Sequence, residues 1–255
     1  MPVLRRDYVA GGVFEPDACD LDVDAIHQGY LRGLRRRGGE VVTRAEVVEI
    51  ERAGERWVVT TSAGVYAART VINAAGAWAD VVAGLAGVAP IGLVPKRRTA
   101  FIFAPPAGTD AARWPAVIDV DETFYFKPEA GLLLGSPANE DPVEPHDVQA
   151  EELDVAYAVD RIERATTLAI PRVQRKWAGL RSFVADKTPV NGFAPDAPGF
   201  HWLAGQGGYG IQTAPAMARL CAAEVRRENT PSDLQAAGVS AVALAPARLS
   251  PGAAA

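Results

Sequence analysis

The chain contains few of the residues that build metal sites or disulfide frameworks. Its 255 residues include two cysteines, Cys19 and Cys221, which are far apart and do not form a C-x-x-C pair. This usage fits a reducing compartment and argues against disulfides or a thiolate metal site. The three histidines, His27, His146 and His201, are isolated and lack metal-ligand spacing, so we interpret them as structural and predict no metal site.

Long apolar runs and an excess of positive charge are also absent. No uninterrupted apolar run approaches the roughly 18 residues that a membrane span requires, and the start, "MPVLRRDYVAGGVFEPD", lacks the apolar core of a signal peptide. We therefore expect a cytoplasmic protein. The net charge of −5 gives no global basic field to attract nucleic acid. The one basic cluster, Arg32 with Arg35, Arg36 and Arg37, lies in the last turn of a predicted helix, where cations complement the helix dipole.

The first part of the chain combines one helix with several short strands. The segment "LDVDAIHQGYLRGLRRRGGE" predicts a helix that Asp22 or Asp24 caps, with Ile26, Tyr30 and Leu34 as a buried stripe. Because β-branched runs alternate with turn residues after it, short strands are expected around 40–43, 46–52, 56–61, 65–67 and 70–74. The last run, "TVINAAG", ends in small residues, which is typical of a buried strand whose tip approaches something closely.

The middle of the chain changes to alternating, aromatic-rich segments. "RTAFIFAPP", "PAVIDV" and "TFYFKPEAGLLLGSP" predict an antiparallel sheet, which "VQRKWAGLRSFV" rejoins after the helix "HDVQAEELDVAYAVDRIERAT". A strand, a glycine turn and a helix follow in "PGFHWLAGQGGYGIQTAPAMARLCAAEVRREN". This order suggests two domains, of which the first is completed by the last strand–turn–helix segment.

Four glycines stand between that last strand and its helix. Gly205, Gly207 and Gly210 have the G-x-G-x-x-G spacing of a dinucleotide-binding turn. Such a turn needs a second strand and an acidic residue after its helix, whereas only the tail follows here, so the context does not support it. A helix packed tightly on a sheet would explain one or two glycines. Four of them, followed by Gln212, favour a close approach to a flat ligand at a helix N-terminus.

Three segments of the chain resemble a known family. "VINAAGAWAD", "RKWAGLRSFVADKTPVNGF" and "WLAGQGGYGIQTAPAMARL" resemble, in sequence, order and spacing, the D-amino-acid oxidase family of FAD-dependent oxidoreductases. The resemblance lies in the glycine oxidase-like branch, nearest to the D-arginine dehydrogenase type. It implies an α/β (α+β) fold, with an incomplete FAD-binding Rossmann-like domain and a substrate domain built on an antiparallel sheet.

The resemblance implies FAD contacts in three parts of the chain. The turn after "VIN" brings Ala75, Gly76 and Trp78 against FAD, and the strand "AEVVEIE" meets its adenine end through Val47. The glycine turn would wrap the pyrimidine edge of the flavin with Gly205, Gln206, Gly207, Gly208, Tyr209, Gly210, Ile211 and Gln212. The dipole of the following helix would favour negative charge on the reduced ring. Neither cysteine stands where covalent members attach the flavin, so non-covalent FAD is expected.

The resemblance also implies residues for a small-molecule amino-acid substrate. Arg181, in "WAGLRSF", matches the arginine that binds the substrate carboxylate, for which a guanidinium offers a planar, permanently charged fork. Arg98 and Tyr125 match further active-site positions, and Gly208 would present a backbone carbonyl to the substrate amine. Taken singly, Arg98 fits a surface residue and Tyr125 a core residue. The glycine turn holds no basic residue, which favours the dehydrogenase-like branch over glycine oxidase itself.

The implied reaction is oxidation of the C–N bond of an amino acid, in the nearest type a D-amino acid. Hydride passes to the flavin, and the imino acid hydrolyses to a 2-oxo acid and ammonia. No side-chain base is evident, so catalysis is mostly positioning. Two alternatives stay open at this point: an inactive fragment or interaction module of the family, and an FAD enzyme acting on a secondary amine or a hydroxy acid.

The opening strand, G-x-G-x-x-G turn and ribose-binding acid of the family have no counterpart in this chain. We therefore expect an incomplete FAD domain over 1–90 and 186–229, a substrate domain over 91–185 and a loosely ordered tail over 230–255. An exposed sheet edge, an exposed apolar face and weakened FAD binding are further expectations. A separate chain that supplies the N-terminal segment is a partner consistent with them.

Overall fold

The computed structural model describes residues 1–249, and its internal contacts divide the chain into two units. The first unit consists of Met1–Asp17 and Pro95–Arg181, and the second of Ala18–Val94 and the chain from Ser182 onward. The domain boundaries expected from the sequence stay a prediction, and the first 17 residues belong to the first unit. They do so because their backbone bonds to the end of a helix there: Arg5 N donates to Ala165 O (3.0 Å) and Thr167 N to Val3 O (2.8 Å).

Helices and strands follow in the mixed order that the sequence predicts. The helices are α1 (Val23–Arg36), α2 (Ala79–Leu85), α3 (Glu152–Ala165), α4 (Gly210–Val225), α5 (Ser232–Ala236) and α6 (Ala241–Leu244). The strands are β1 (Val47–Ala53), β2 (Arg56–Thr61), β3 (Gly64–Ala68), β4 (Val71–Asn73), β5 (Val94–Phe103), β6 (Val117–Ile118), β7 (Tyr125–Glu129), β8 (Leu132–Ser136), β9 (Asp141–Pro142), β10 (Val173–Phe183), β11 (Val190–Phe193) and β12 (Phe200–Ala204). The predicted mixed α/β class is thereby confirmed.

A six-stranded sheet forms the body of the first unit. Its order is β10-β5-β8-β7-β6, with β9 paired to β5, and the recorded pairs are antiparallel. Helix α3 covers one face, where Phe101, Phe126, Leu133 and Ile162 have no exposed surface. Burial of each such side chain stabilises the fold by roughly 1.5–3 kcal/mol. Since side chains alternate along a strand, every second residue of β5 faces away from this helix.

Two three-stranded sheets form the second unit. One is antiparallel in the order β1-β2-β3, and in the other β12 pairs antiparallel with β11 and parallel with β4. Their core contains Trp57, Phe200 and Trp202, whose rings meet edge to face at centroid distances of 5.9 and 5.4 Å. Edge-to-face contacts of this kind add to the stabilisation by area burial.

Helix α1 begins as predicted but does not bury its apolar stripe. The Asp22 side chain accepts a hydrogen bond from Ala25 N (2.9 Å), so Asp22 is the cap. No residue of α1 is buried, and Tyr30 and Leu34 are 52% and 44% exposed, so the predicted buried stripe is wrong for the described chain. The stripe borders an open groove of about 620 Å³ that Pro215 of α4 also lines, and within residues 1–249 no element fills it.

Two further segments differ from expectation. Residues 40–43 do not form a strand: Val41 and Val42 are exposed, and no hydrogen-bonded partner strand lies beside them in the described chain. The tail, expected to be loosely ordered, contains α5, α6 and a 3₁₀ turn up to Leu249. Arg248 fastens it by donating to Asp186 Oδ2 (2.8 Å) and to Thr188 O (2.6 Å). The rest of the tail lies outside the described residues.

No helix within residues 1–249 combines the length and the apolar character that crossing a membrane requires.

Candidate functional site

The first unit brings together the three side chains that the sequence assigned to the substrate. Arg98 lies on β5, Tyr125 on β7 and Arg181 on β10, the strand next to β5. The Arg98 side chain is only 11% exposed. Burial, together with the nearby positive charge of Arg181, lowers the pKa of Arg98, while a hydrogen bond with Tyr125 and the charge of Glu140 act in the opposite direction. Arg98 is therefore a partly buried cation beside a second cation, and not an isolated surface residue.

Two residues that the sequence analysis missed hold Arg98 in place. Arg98 Nε donates to the backbone oxygen of Asn139 (2.8 Å), and Nη2 donates to Glu140 Oε1 (3.2 Å). Charge complementarity between "PKRR" and "NED" was the available signal, since the strand pair β5–β9 sets Arg97 opposite Asp141. Opposite charges across antiparallel strands stabilise each other.

The other face of β5 contains a buried polar network that fixes this segment. Asp154 Oδ2, on α3, accepts from Arg97 Nε (3.0 Å), from Thr99 Oγ1 (2.8 Å) and from Asn139 Nδ2 (3.1 Å). Asn139 Oδ1 in turn accepts from Thr99 N (2.9 Å). The network ties the residues on either side of Arg98 to α3, so the position of Arg98 is set by the fold.

Replacing Asp154 by alanine should destabilise the chain by about 1–3 kcal/mol, because the buried Thr99 hydroxyl would lose its carboxylate acceptor, while Arg97 keeps Glu151 and Asp141 as partners. Urea unfolding measures this difference. Asp160→Ala is the matched control: it lies on the same helix, and its bond to Arg164 (3.3 Å) is solvent-exposed, so it should cost less than about 0.5 kcal/mol. Equal effects of the two substitutions would contradict the network's role.

In the second unit, two parallel strands end side by side. β12 pairs parallel with β4 so that Trp202 is opposite Asn73. The turn containing Ala75, Gly76 and Trp78 follows β4, and the glycine turn that begins at Gly205 follows β12. In α/β sheets, ligands bind outside the carboxyl ends of parallel strands. We call this place, formed by residues 75–78 and 205–212, the carboxyl edge.

Asn73 shapes the first of these two turns. It is buried, its Nδ2 donates to Ala79 O (2.8 Å), and its Oδ1 accepts from Ala75 N (3.3 Å). Gly76 adopts a φ of 58° with open space where a Cβ would be, and Trp78 is 44% exposed. The sequence analysis missed Asn73, although a polar residue that ends the β-branched run "TVIN" signals such a role.

The glycine turn has one glycine that the protein's own packing explains. Gly207 has a φ of 54°, and a Cβ there would lie 2.5 Å from the Phe183 ring. Its N–H donates to Ser182 O (2.9 Å), and Gly205 also has a positive φ, of 71°. Position 207 therefore needs a glycine because a side chain there would collide with Phe183. Gly208 is exposed, and no such contact explains why it is a glycine.

Helix α4 begins in this turn without a side-chain cap. Tyr209 precedes the helix and makes no capping hydrogen bond, and the first turn contains no acidic residue. Tyr209 and Ile211 are exposed apolar side chains, and Gln212 is also exposed. A helix start with uncapped N–H groups and a partial positive charge suits an electron-rich or anionic group.

Val47, the residue assigned to the adenine end, opens β1 in the other sheet of the same unit. It is partly buried, pairs with Thr61 and packs against the hydrophobic core of the unit. A contact between its backbone and FAD stays a prediction.

His201 and Cys221, two residues whose side chains could take part in chemistry, belong to a cluster near the end of α4. His201 Nε2 and Asn191 Nδ2 both lie 2.9 Å from Glu224 Oε2, and His201 Nδ1 lies 3.8 Å from Cys221 Sγ. Burial, with the negative charge of Glu224 adding to it, raises the pKa of the Cys221 thiol to about 11. Within residues 1–249, no group of His, Cys, Asp and Glu side chains is placed to hold a metal ion.

Cys221 should therefore react with a disulfide reagent at pH 8 far more slowly than the exposed Cys19, because the thiolate is the reactive form. The raised pKa also implies that the thiol ionises at a lower pH in the unfolded chain than in the folded one. The stability that the neutral thiol contributes is therefore lost as the pH rises from the ordinary pKa of a cysteine thiol toward about 11. Thiol titration of native and urea-unfolded protein measures the difference. Two equally fast thiols in the native protein would contradict it.

The comparison with protein families decides the family. The family described as DAO, FAD dependent oxidoreductase, matches residues 1–224. This chain belongs to the DAO family. FAD is the cofactor of that family, and the carboxyl edge of this DAO chain fits FAD, since it combines exposed aromatic surface with an uncapped helix start.

Relatives of this DAO chain include characterised proteins at low identity. Hydrogen cyanide synthase subunit HcnC of Pseudomonas aeruginosa is 27% identical over 225 residues, covering 85% of this chain and 52% of that protein. Glycine oxidase of Bacillus subtilis is 25% identical over 235 residues, covering 86% and 59%. The crystal structure of glycine oxidase from Geobacillus kaustophilus matches with a TM-score of 0.65 and 25% identity, covering 77% and 52%. The chain thus spans a little over half the length of these relatives.

Proposed function

We propose that this chain is part of an FAD-dependent enzyme that oxidises the C–N bond of an amino acid, specifically a D-amino acid as in the D-arginine dehydrogenase type. The observation that carries the proposal is the pair of arginines, Arg98 on β5 and Arg181 on the adjoining β10, with Tyr125 of β7 in the same sheet within hydrogen-bonding reach of Arg98. Two neighbouring guanidinium groups suit one carboxylate, and every α-amino acid carries one.

The residues of this chain bind and orient the substrate. Arg181 and Arg98 hold the carboxylate, and Tyr125 forms a hydrogen bond with Arg98. When bound, FAD supplies the acceptor for the hydride that leaves the α-carbon. The N–H groups at the start of α4 stabilise negative charge at the edge of the ring. The cofactor is held without a covalent bond.

A secondary amine bearing a carboxylate is the second candidate substrate. The arginine pair recognises a carboxylate whether the neighbouring nitrogen carries one carbon or two. A solved iminodiacetate oxidase from Chelativorans sp. BNC1 has the same fold (TM-score 0.69, 20% identity). A hydroxy acid would satisfy the same arginines, since it also carries a carboxylate.

Anaerobic flavin reduction by a substrate panel tests the proposal. The panel contains D- and L-enantiomers of arginine, alanine and aspartate, together with sarcosine and lactate. We expect D-amino acids to bleach the flavin of the FAD-loaded chain and their L-enantiomers to leave it oxidised. Bleaching by lactate or sarcosine alone would replace the proposed substrate class, and no bleaching by any member would contradict the function.

We also propose that a further segment, from this or a separate chain, covers exposed surfaces of the second unit. Tyr30 and Leu34 of α1 are exposed, and, as a separate observation, within the described residues β4 has a hydrogen-bonded partner on one side only. An apolar face and an unpaired strand edge are surfaces that proteins normally cover. No nucleic-acid partner is proposed, and a cytoplasmic location remains our prediction.

A further inference from the structure

Glu140 is a carboxylate that pairs with Arg98. Its Oε1 accepts from Arg98 Nη2 (3.2 Å) and its Oε2 from Lys96 Nζ (3.1 Å). Lys96 and Arg98 are two residues apart on β5, so their side chains leave the same face of the sheet. One carboxylate thus bridges two cations on the side of the strand opposite α3.

The bridge leaves part of the Arg98 guanidinium available. Asn139 O and Glu140 Oε1 take the Nε–H and one Nη2–H. A guanidinium has five N–H donors, so the remaining N–H groups can serve Tyr125 and a ligand. The plane of the group is fixed by two acceptors from consecutive residues, which determines the direction in which the remaining donors point.

Glu140 itself is held firmly. Its neighbour Asn139 bonds to Thr99 N, to Asp154 and, through Nδ2, to Asp141 Oδ2 (2.7 Å). The Glu140 side chain is 29% exposed. A carboxylate on such a tethered segment loses little conformational freedom when it pairs with Arg98.

The neighbouring positive charges of Arg98 and Arg181 require a negative charge close to them. Arg98 and Arg181 repel each other, and Arg98 is largely removed from water. A buried cation beside a like charge is costly unless an opposite charge compensates it. Before a substrate arrives, Glu140 supplies that charge.

We propose that Glu140 is a positioning residue that holds Arg98 beside Arg181, ready to receive the substrate carboxylate. The inference rests on the proposed function, since it assigns Glu140 to the same site. Glu140 does not touch the reacting carbon. Its loss should therefore weaken carboxylate binding and leave the chemical step nearly unchanged.

The test compares Glu140→Gln and Glu140→Ala with wild type in the full, FAD-loaded chain. We expect KM for the amino acid to rise roughly tenfold, the low end for a charge-assisted hydrogen bond, with kcat within about twofold. The inhibition constant of acetate should rise in parallel, whereas that of acetamide, which has no charge, should not change. Glu151→Gln is the matched control, because Glu151 pairs with Arg97 on the opposite face of the same strand, and its KM should equal that of wild type.

A second readout needs no turnover. Phenylglyoxal modifies arginine, and peptide mass spectrometry gives the rate at Arg98. We expect several-fold faster modification of Arg98 in Glu140→Gln than in wild type or Glu151→Gln, because Arg98 loses an anchoring acceptor.

The outcomes separate this inference from the proposed function. An active wild type with an unchanged or lowered KM in Glu140→Gln would overturn the inference and leave the function standing. A lowered KM would mean that Glu140 repels the substrate instead of positioning its arginine. A wild type whose flavin no amino acid reduces would overturn the function, and with it the role of Glu140 toward a substrate. The modification rates would then show only whether Glu140 anchors Arg98.

Discussion

Arg181→Met should lower kcat/KM for the amino acid by about 30- to 5,000-fold, the equivalent of roughly 2–5 kcal/mol for one lost partner of a desolvated charge pair. Methionine keeps much of the volume of the side chain but offers no donor to the substrate carboxylate. Most of the effect should appear in KM and in the inhibition constant of acetate, because in the proposed function the arginine contacts the carboxylate in both ground and transition states. Steady-state kinetics of the FAD-loaded protein measures both parameters.

Arg181→Lys and Arg175→Met complete the experiment. Lysine keeps the charge but loses the planar fork, so its activity should lie between those of wild type and Arg181→Met. Arg175 is on the same strand, is exposed and stacks on Trp177 at 5.7 Å, so Arg175→Met should behave like wild type. If Arg175→Met is as damaging as Arg181→Met, the effect reflects loss of strand β10 and not of a carboxylate contact.

Gly207→Ala should destabilise the second unit by about 2–5 kcal/mol and reduce FAD retention. A left-handed φ costs a residue with a Cβ about 1–2 kcal/mol, and forcing a methyl group into packed space costs about 1–3 kcal/mol. Both apply here, because φ is 54° and the new Cβ would lie 2.5 Å from Phe183 Cε1. Relief of the clash would move the turn and the start of α4, and with them the carboxyl edge. Urea unfolding and the flavin absorbance retained after desalting are the two measurements.

Gly238→Ala separates the two causes. Gly238 also has a positive φ, of 80°, but nothing lies within 4 Å of the position that a Cβ would take, so only the backbone cost should remain and FAD retention should be normal. Phe183→Leu combined with Gly207→Ala should recover part of the stability, since the smaller side chain removes the clash. If the double variant is no more stable than the sum of the two single effects predicts, steric contact with Phe183 is not the cause.

The sheet and the order of elements could be predicted because they leave local signals. Alternation in "RTAFIFAPP" marks β5, and the short polar Asp22 marks the start of α1. These signals depend on neighbours in sequence, which a single chain displays directly. Arg98, Tyr125 and Arg181 were assigned through the family resemblance, and their role toward a substrate stays a prediction.

Features that depend on distant partners could not be predicted. The opposite charges of "PKRR" and "NED" show only that these segments can pair and not that Glu140 meets Arg98, about forty positions earlier, and Asn73 needed the structure to show which backbone atoms it bonds. The stripe of α1 illustrates the reverse case: Tyr30 and Leu34 have helical spacing, but burial depends on a covering element that the pattern cannot supply. The tail was expected to be loosely ordered because its composition is low in charge. The structure shows that one charged residue in it, Arg248, bonds to Asp186 and Thr188, which are distant in sequence.

The visible spectrum of the purified chain, incubated with FAD and then desalted, tests the central claim most directly. We predict a retained flavin band that a D-amino acid bleaches under anaerobic conditions. A band that stays with the protein would show that the chain binds FAD, and its bleaching would show that the bound flavin accepts electrons from an amino acid. Loss of all flavin on desalting would contradict the claim that this chain binds FAD without a further segment.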